Sequence, residues 1–275
     1  MPSSGVESLD EILNSEGYPE TSAILVTGPA GIGKESLGYW FMQSGLEGAA
    51  FCLYVTRLSP RDVQHDQKAF GISSSQRSPI WLARSGGQVT LDINDIQDLT
   101  HKINEQLTVG KDAGVRMVTD ALSSVLVLNP VETAYKFVGW LIEAVKQRGG
   151  VLLATLEDGM HSPQTIAAMQ QLFDGVIEFS FNKNGLRIVP MLRVVKMRGM
   201  TPRHDYYAFS FDGSGMRLAL AVPESDSILA PSQLNARAAA TAHDEPLSGS
   251  LSLTPKLKAV FDCLRTAEGI QRSGP

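Results

Sequence analysis

Short runs of apolar and β-branched residues alternate along the chain with longer stretches whose apolar positions recur every three to four residues. Residues 23–27, 50–56, 80–83, 116–120, 150–156 and 175–181 are such runs and are predicted as strands, consistent with a sheet buried between layers of helix. Between the fourth and fifth runs, Val131, Ala134, Phe137, Val138, Leu141, Ile142 and Val145 place one apolar stripe on a helix that stops at Gly149 and Gly150. This alternation predicts an α/β fold with a mostly parallel sheet flanked by helices. Two hairpin-like runs, 187–197 and 206–220, follow without an intervening helix, so antiparallel strands are predicted at one edge. The pattern stops after Leu220. Residues 223–250, rich in Ala, Ser, Pro and Asp, read as a flexible linker. Residues 251–275 read as a C-terminal amphipathic helix or truncated module, with Thr254 as its cap, Pro255 at its first position, and Leu257, Val260, Phe261 and Leu264 on one side. Residues 1–222 form the predicted folded domain.

Composition adds mainly exclusions. A hydrophobic content of 43% in 275 residues suffices for a full core. The formal charge of −5, from 24 Lys and Arg against 29 Asp and Glu, supplies no global field for a polyanion, so nucleic acid is not the expected partner. Cys52 and Cys263 are too few for a disulfide framework or a zinc cluster, and a reducing cytoplasm is the expected location. The opening residues lack a basic region followed by an apolar one, and no apolar run approaches the roughly 18 to 20 residues of a membrane span, so neither export nor insertion is expected.

One segment carries sharper chemistry. Gly28, Pro29, Ala30, Gly31, Ile32, Gly33 and Lys34 spell G-x-x-x-x-G-K directly after the first strand and before a helical stretch. Glycine there lets backbone amides wrap round a β-phosphate, Lys34 extends to the β and γ oxygens, and the following helix presents its N-terminus to the same anion. Alone, the pattern arises by chance in roughly one chain in ten of this length, but its place between strand and helix is what the mechanism demands. About ninety residues later the run at 116–120 ends in Asp120, which suits holding magnesium through water.

Several segments together carry a family likeness. Ser4-Gly5-Val6-Glu7-Ser8-Leu9-Asp10-Glu11-Ile12-Leu13, the glycine-rich loop, Leu53-Tyr54-Val55-Thr56, Thr119-Asp120-Ala121-Leu122-Ser123, Leu156-Glu157-Asp158-Gly159-Met160-His161 and Lys196-Met197-Arg198-Gly199 resemble the KaiC-like and RadA-like ATPases of the RecA superfamily, over residues 4 to 220. The resemblance implies a RecA-like P-loop core, ATP with Mg2+ bound between subunits, and a homo-oligomer such as a hexameric ring or a filament. It also implies that the face carrying Lys196 and Arg198 meets a neighbour's nucleotide, where two cations would stabilise phosphate charge in trans as an arginine finger does. Read from the residues alone, the same pair is a solvated basic edge strand.

Two positions depart from the family pattern. Glu35 stands where Ser or Thr ordinarily serves the metal, and Ser36 is turned about 100° further round the helix. Glu35 is thus either a metal ligand itself or a solvated glutamate in the first helical turn. After the strand ending at Thr56, where the family places acidic residues that activate water, the chain reads Arg57-Leu58-Ser59. Glu157 and Asp158, with His161 nearby, either face the γ-phosphate, with Glu157 the catalytic candidate, or belong to an ordinary polar loop. These features predict an ATP-binding regulatory or signalling protein with weak or absent hydrolysis. The alternative is a recombination or DNA-repair accessory, favoured by the terminal helix and disfavoured by the negative charge and by the short connection at 123–130.

Overall fold

The computed structural model describes residues 1–72, 77–110, 114–184, 186–212 and 215–220. The linker and terminal helix anticipated at 223–250 and 251–275 lie outside the described residues. Helix α1 (Glu7–Ile12) leads into strand β1 (Ala23–Gly28), and the loop after it into α2 (Glu35–Glu47). There follow β2 (Phe51–Thr56), α3 (Pro60–Ala69), β3 (Ile80–Ala83), the two-residue β4 (Val89–Thr90), α4 (Ile96–Val109) and β5 (Val115–Thr119). Helices α5 (Leu122–Leu128) and α6 (Val131–Lys146) precede β6 (Val151–Glu157) and α7 (Pro163–Leu172). The chain then runs through β7 (Gly175–Asn184), β8 (Arg187–Met197), β9 (Tyr207–Asp212) and β10 (Gly215–Leu220), with no helix among the described residues between them.

Among the described residues these strands make one ten-stranded sheet in the order β10-β9-β8-β7-β1-β6-β5-β2-β3-β4. Pairings from β7 to β4 are parallel, and β8, β9 and β10 add antiparallel strands at one edge, the arrangement anticipated from the missing helices. β1 sits between β6 and β7 with every residue buried. Alternate side chains of such a strand serve opposite faces. Ile24 and Val26 accordingly join the core under α1, α2 and α3, and Leu25 joins the core under α4, α5, α6 and α7. Two cores separated by a central sheet explain the continuous apolar runs in the sequence.

The differences from the sequence pattern are local. Val131, placed on the apolar stripe of α6, is half exposed because it occupies the first turn, where the helix has not yet reached the sheet. β7 continues to Asn184, past its last pair with β1 at Glu178, because β8 keeps pairing with it to the hairpin end. No helix among the described residues is long and apolar enough to cross a membrane.

A buried carboxylate ties the amino end of the parallel sheet together. Asp174 accepts the Ala23 backbone N–H at 2.9 Å and the Lys146 ammonium at 2.9 Å on Oδ2, and an Arg198 guanidinium N–H at 3.1 Å on Oδ1. One side chain thereby joins the start of β1, the end of α6 and the exit from β8. Hydrogen bonds to a charged acceptor contribute more than neutral ones, so Asp174→Ala is expected to lower stability by about 2 kcal/mol in urea melts. An unchanged midpoint would show that the three segments hold their places without it.

Candidate functional site

The loop between β1 and α2 owes its shape to two glycines and to close packing. Gly31 (φ +75°) and Gly33 (φ +90°) occupy the left-handed region, where a side chain is strained. Gly28 is held by space: a Cβ there would lie 2.7 Å from the Phe179 Cβ. The loop consequently starts tight against β7 and delivers Lys34 to the head of α2.

Lys34 is completely buried, and its ammonium is surrounded by oxygen. Nζ lies 2.7 Å from Glu157 Oε2 and 2.9 Å from Glu35 Oε1, and donates to the Pro29 carbonyl at 3.4 Å. Glu157 reaches it because β6 pairs with β1 in register, Gly28 opposite Glu157. Its backbone N–H is fixed by the Ser123 hydroxyl at 2.8 Å. The next residue, Asp158, donates its N–H to the Gly28 carbonyl at 2.9 Å. Burial holds the Asp158 carboxyl above its ordinary range, Glu178 and Glu157 push the same way, and Lys34 opposes them. Glu35 and Glu157 therefore contact the buried ammonium directly, Asp158 feels its charge, and Glu178 acts on Asp158 while pairing with Arg193 at 2.8 Å.

Asp120 lies one residue beyond β5 and braces the neighbouring strand. Its carboxylate accepts the Thr56 hydroxyl at 2.7 Å and the Arg57 backbone N–H at 3.2 Å. Burial pushes its pKa up to about 6 against those two hydrogen bonds, and the charge of Glu35 adds to the rise. Glu35 and Asp120 are hard oxygen donors that feel one another's charge, the donor type that suits Mg2+. Among the described residues no three His, Cys, Asp or Glu groups stand close enough to form a metal site by themselves. Ser36 is buried with its Oγ unpartnered, in keeping with its rotation away from the Glu35 position. His161 is half-buried, and its pKa is lowered by burial.

Lys196 and Arg198 stand at the opposite end of the sheet. Lys196 Nζ donates to the Phe173 carbonyl at 2.7 Å, and Arg198, one residue past β8, pairs with Asp174 while remaining largely exposed. The run of β1 between Asp174's partner Ala23 and Gly28 puts about 17 Å between that corner and the chain's own loop, at about 3.3 Å per residue. The structure unites Lys34, Glu35, Glu157 and the loop glycines, and keeps Lys196 and Arg198 apart from them. The sequence offers no sign of Glu178 or Asp174, and assigns no role of their own to Ser123 and Thr56 within the family segments. Each acts through a partner distant in sequence, for which no local pattern exists.

The model of the family described as "ATPase: KaiC" matches residues 2–219. The chain is 27% identical over 237 residues to the circadian clock protein KaiC2 of Synechocystis, covering 84% of this chain but 41% of that protein. It thus spans less than half the length of that relative. It is 25% identical to a UPF0273 protein of Methanopyrus kandleri, over 78% of this chain and 90% of that one. The crystal structure of a KaiC-like protein from Pyrococcus horikoshii shares the fold, with a TM-score of 0.66 at 18% identity, covering 79% of this chain and 98% of that chain.

The Asp120 brace gives a pH signature. Its folded-state pKa of about 6 lies above the ordinary carboxyl value. The folded state therefore holds the proton more tightly, and this group's contribution to stability declines as pH climbs from about 4 to about 6. Thr56→Val removes a donor that favours the charged form, so the Asp120 midpoint should move higher in a carboxyl NMR titration without magnesium or nucleotide. A midpoint that stays put or falls would contradict the assigned role of Thr56.

Proposed function

The chain belongs to the KaiC ATPase family, and from that premise we propose that it is an ATP-binding regulatory or signalling protein whose hydrolysis is very slow. The observation that carries this reading is the buried Lys34, held at the head of the glycine-rich loop by two carboxylates where phosphate oxygens would otherwise stand. A triphosphate entering the loop takes over Lys34, and Glu35 and Glu157 must give up their hold on it. Backbone amides of the loop orient the β-phosphate, and α2 directs its N-terminus at the same charge. Mg2+, when bound, neutralises phosphate charge, and Glu35 and Asp120 are the residues that would hold it, directly or through water. A carboxylate about 5 Å from phosphate charge costs roughly 3 kcal/mol at an effective dielectric near 20, so binding should depend strongly on the metal.

Slow turnover follows from the residues near the reacting end. Arg57 follows β2 where an acid would activate water, and Glu157 is the remaining candidate to accept a proton. Loss of a general base commonly costs about 10² to 10⁴ in rate. The separation of Lys196 and Arg198 from the chain's own loop supports a head-to-tail assembly, in which one copy's amino-end corner faces the next copy's nucleotide. Such heterologous contacts close into rings when the rotation permits, and a hexamer is the form we propose.

Four outcomes test the reading. Lys34→Ala should sharply weaken ATP binding in calorimetry while preserving a cooperative melt, and equal affinity would remove the central assignment. Glu157→Gln should tighten ATP binding about tenfold, equivalent to 1.4 kcal/mol, and lower the residual hydrolysis. Single-turnover hydrolysis by the wild type at saturating magnesium should fall below about 1 s⁻¹, the low end of ordinary turnover. For assembly, light scattering should show ATP driving higher oligomers and Arg198→Ala blunting the shift. A nucleotide-independent monomer would rule the assembly out.

A further inference from the structure

The carboxyl ends of β2 and β3 carry a pair of arginines beside the loop. Thr56 and Ala83 pair as the last rung of these parallel strands, and each is followed by an arginine, Arg57 and Arg84. Strand spacing puts these two positions about 5 Å apart, so two like charges leave the sheet side by side. Both side chains are exposed, and among the described residues neither makes a salt bridge or a side-chain hydrogen bond. They line one cavity of about 610 Å³. That volume lies within the range of small-molecule sites. Parallel sheets habitually bind ligands outside the carboxyl ends of their strands.

We propose that this cavity is a second oxyanion site, separate from the Lys34 loop, that takes a small phosphorylated ligand. Two guanidinium groups carried on adjacent strands can offer two forks to one phosphate or pyrophosphate. Ser124 and Asn94 add a hydroxyl and an amide to the wall, and the buried Leu91 and Ile93 give it an apolar floor. Asp92 also lines the cavity, with its Oδ1 engaged by the Asn94 backbone N–H at 3.0 Å. A cavity of this volume suits a compact ligand, and an extended polymer is an outcome of the test below. Neither Lys34 nor Glu157 lines it, and because Arg57 also borders the proposed reacting end of the nucleotide, the two assignments are separated by silencing the loop. The Arg57 backbone N–H nevertheless holds Asp120, which joins the cavity to the candidate metal ligand through one residue.

The full chain carrying Lys34→Ala, which silences the loop, tests this with inorganic pyrophosphate as the probe. Titration followed by NMR should show saturable one-to-one binding, with shifts at Ser124, Asn94 and the two arginine side chains. Adding Arg57→Gln and Arg84→Gln should weaken that binding at least tenfold while leaving the cooperative melt in place. Should the triple variant fail to fold, the shifts mapped on the Lys34→Ala chain decide the matter. Pyrophosphate binding abolished by Lys34→Ala alone, shifts confined to the loop, or affinity unmoved by the arginine changes would overturn the proposal. So would tighter binding of a short single-stranded oligonucleotide that pyrophosphate cannot displace. ATP binding to a chain with intact Lys34, measured separately, reports on the loop and keeps the two assignments distinct.

Discussion

A lysine removed from water must be given counter-charge, because an unpaired buried ammonium costs several kcal/mol. Lys34 meets that requirement with Glu35 beside it in sequence and Glu157 across the sheet. The second partner exists only because β1 and β6 are neighbours in register, so the site's electrostatics depend on the topology. The β1–α2 loop, the end of β6 and the Ser123 hydroxyl that fixes Glu157 all converge on this one ammonium. Phosphate would replace carboxylate as the counter-charge without the lysine ever becoming solvated.

The sheet has two chemically distinct ends. At the carboxyl ends of the strands stand the glycine-rich loop, Asp120, Glu157 and the arginine pair. At the amino end Asp174 gathers a backbone amide, a lysine and an arginine. Parallel strands enforce this segregation, since every strand contributes its last residues to the same edge. Arg198 at the far corner is largely exposed yet tethered by a buried carboxylate, which limits its search without hiding it.

Much of this was legible in sequence wherever the signal was local. Apolar runs gave the parallel strands, the absence of intervening helices gave the antiparallel edge, and the motif spacing located Lys34. The sequence marks Asp120 as an acid at a strand end suited to magnesium, but carries no sign of its brace to Thr56, 64 residues away. The Lys34–Glu157 contact was equally invisible, because register across a sheet is decided by packing of the whole core rather than by either segment. The sequence marks Glu157 as the catalytic candidate or as part of an ordinary polar loop, and only the fold gives it a partner. The two-residue β4 is too short for any periodicity to register.

The contact between Gly28 and β7 bears on how this sequence can drift. The atoms that a side chain at position 28 would strike are the Cβ and the carbonyl oxygen of Phe179, at 2.7 and 3.0 Å. Every residue except glycine owns that Cβ, and every residue owns that oxygen. No exchange at position 179 short of glycine would clear the Cβ, and even glycine would leave the carbonyl in the way. The restraint on position 28 is therefore written in main-chain geometry, and a compensating mutation in its neighbour cannot lift it.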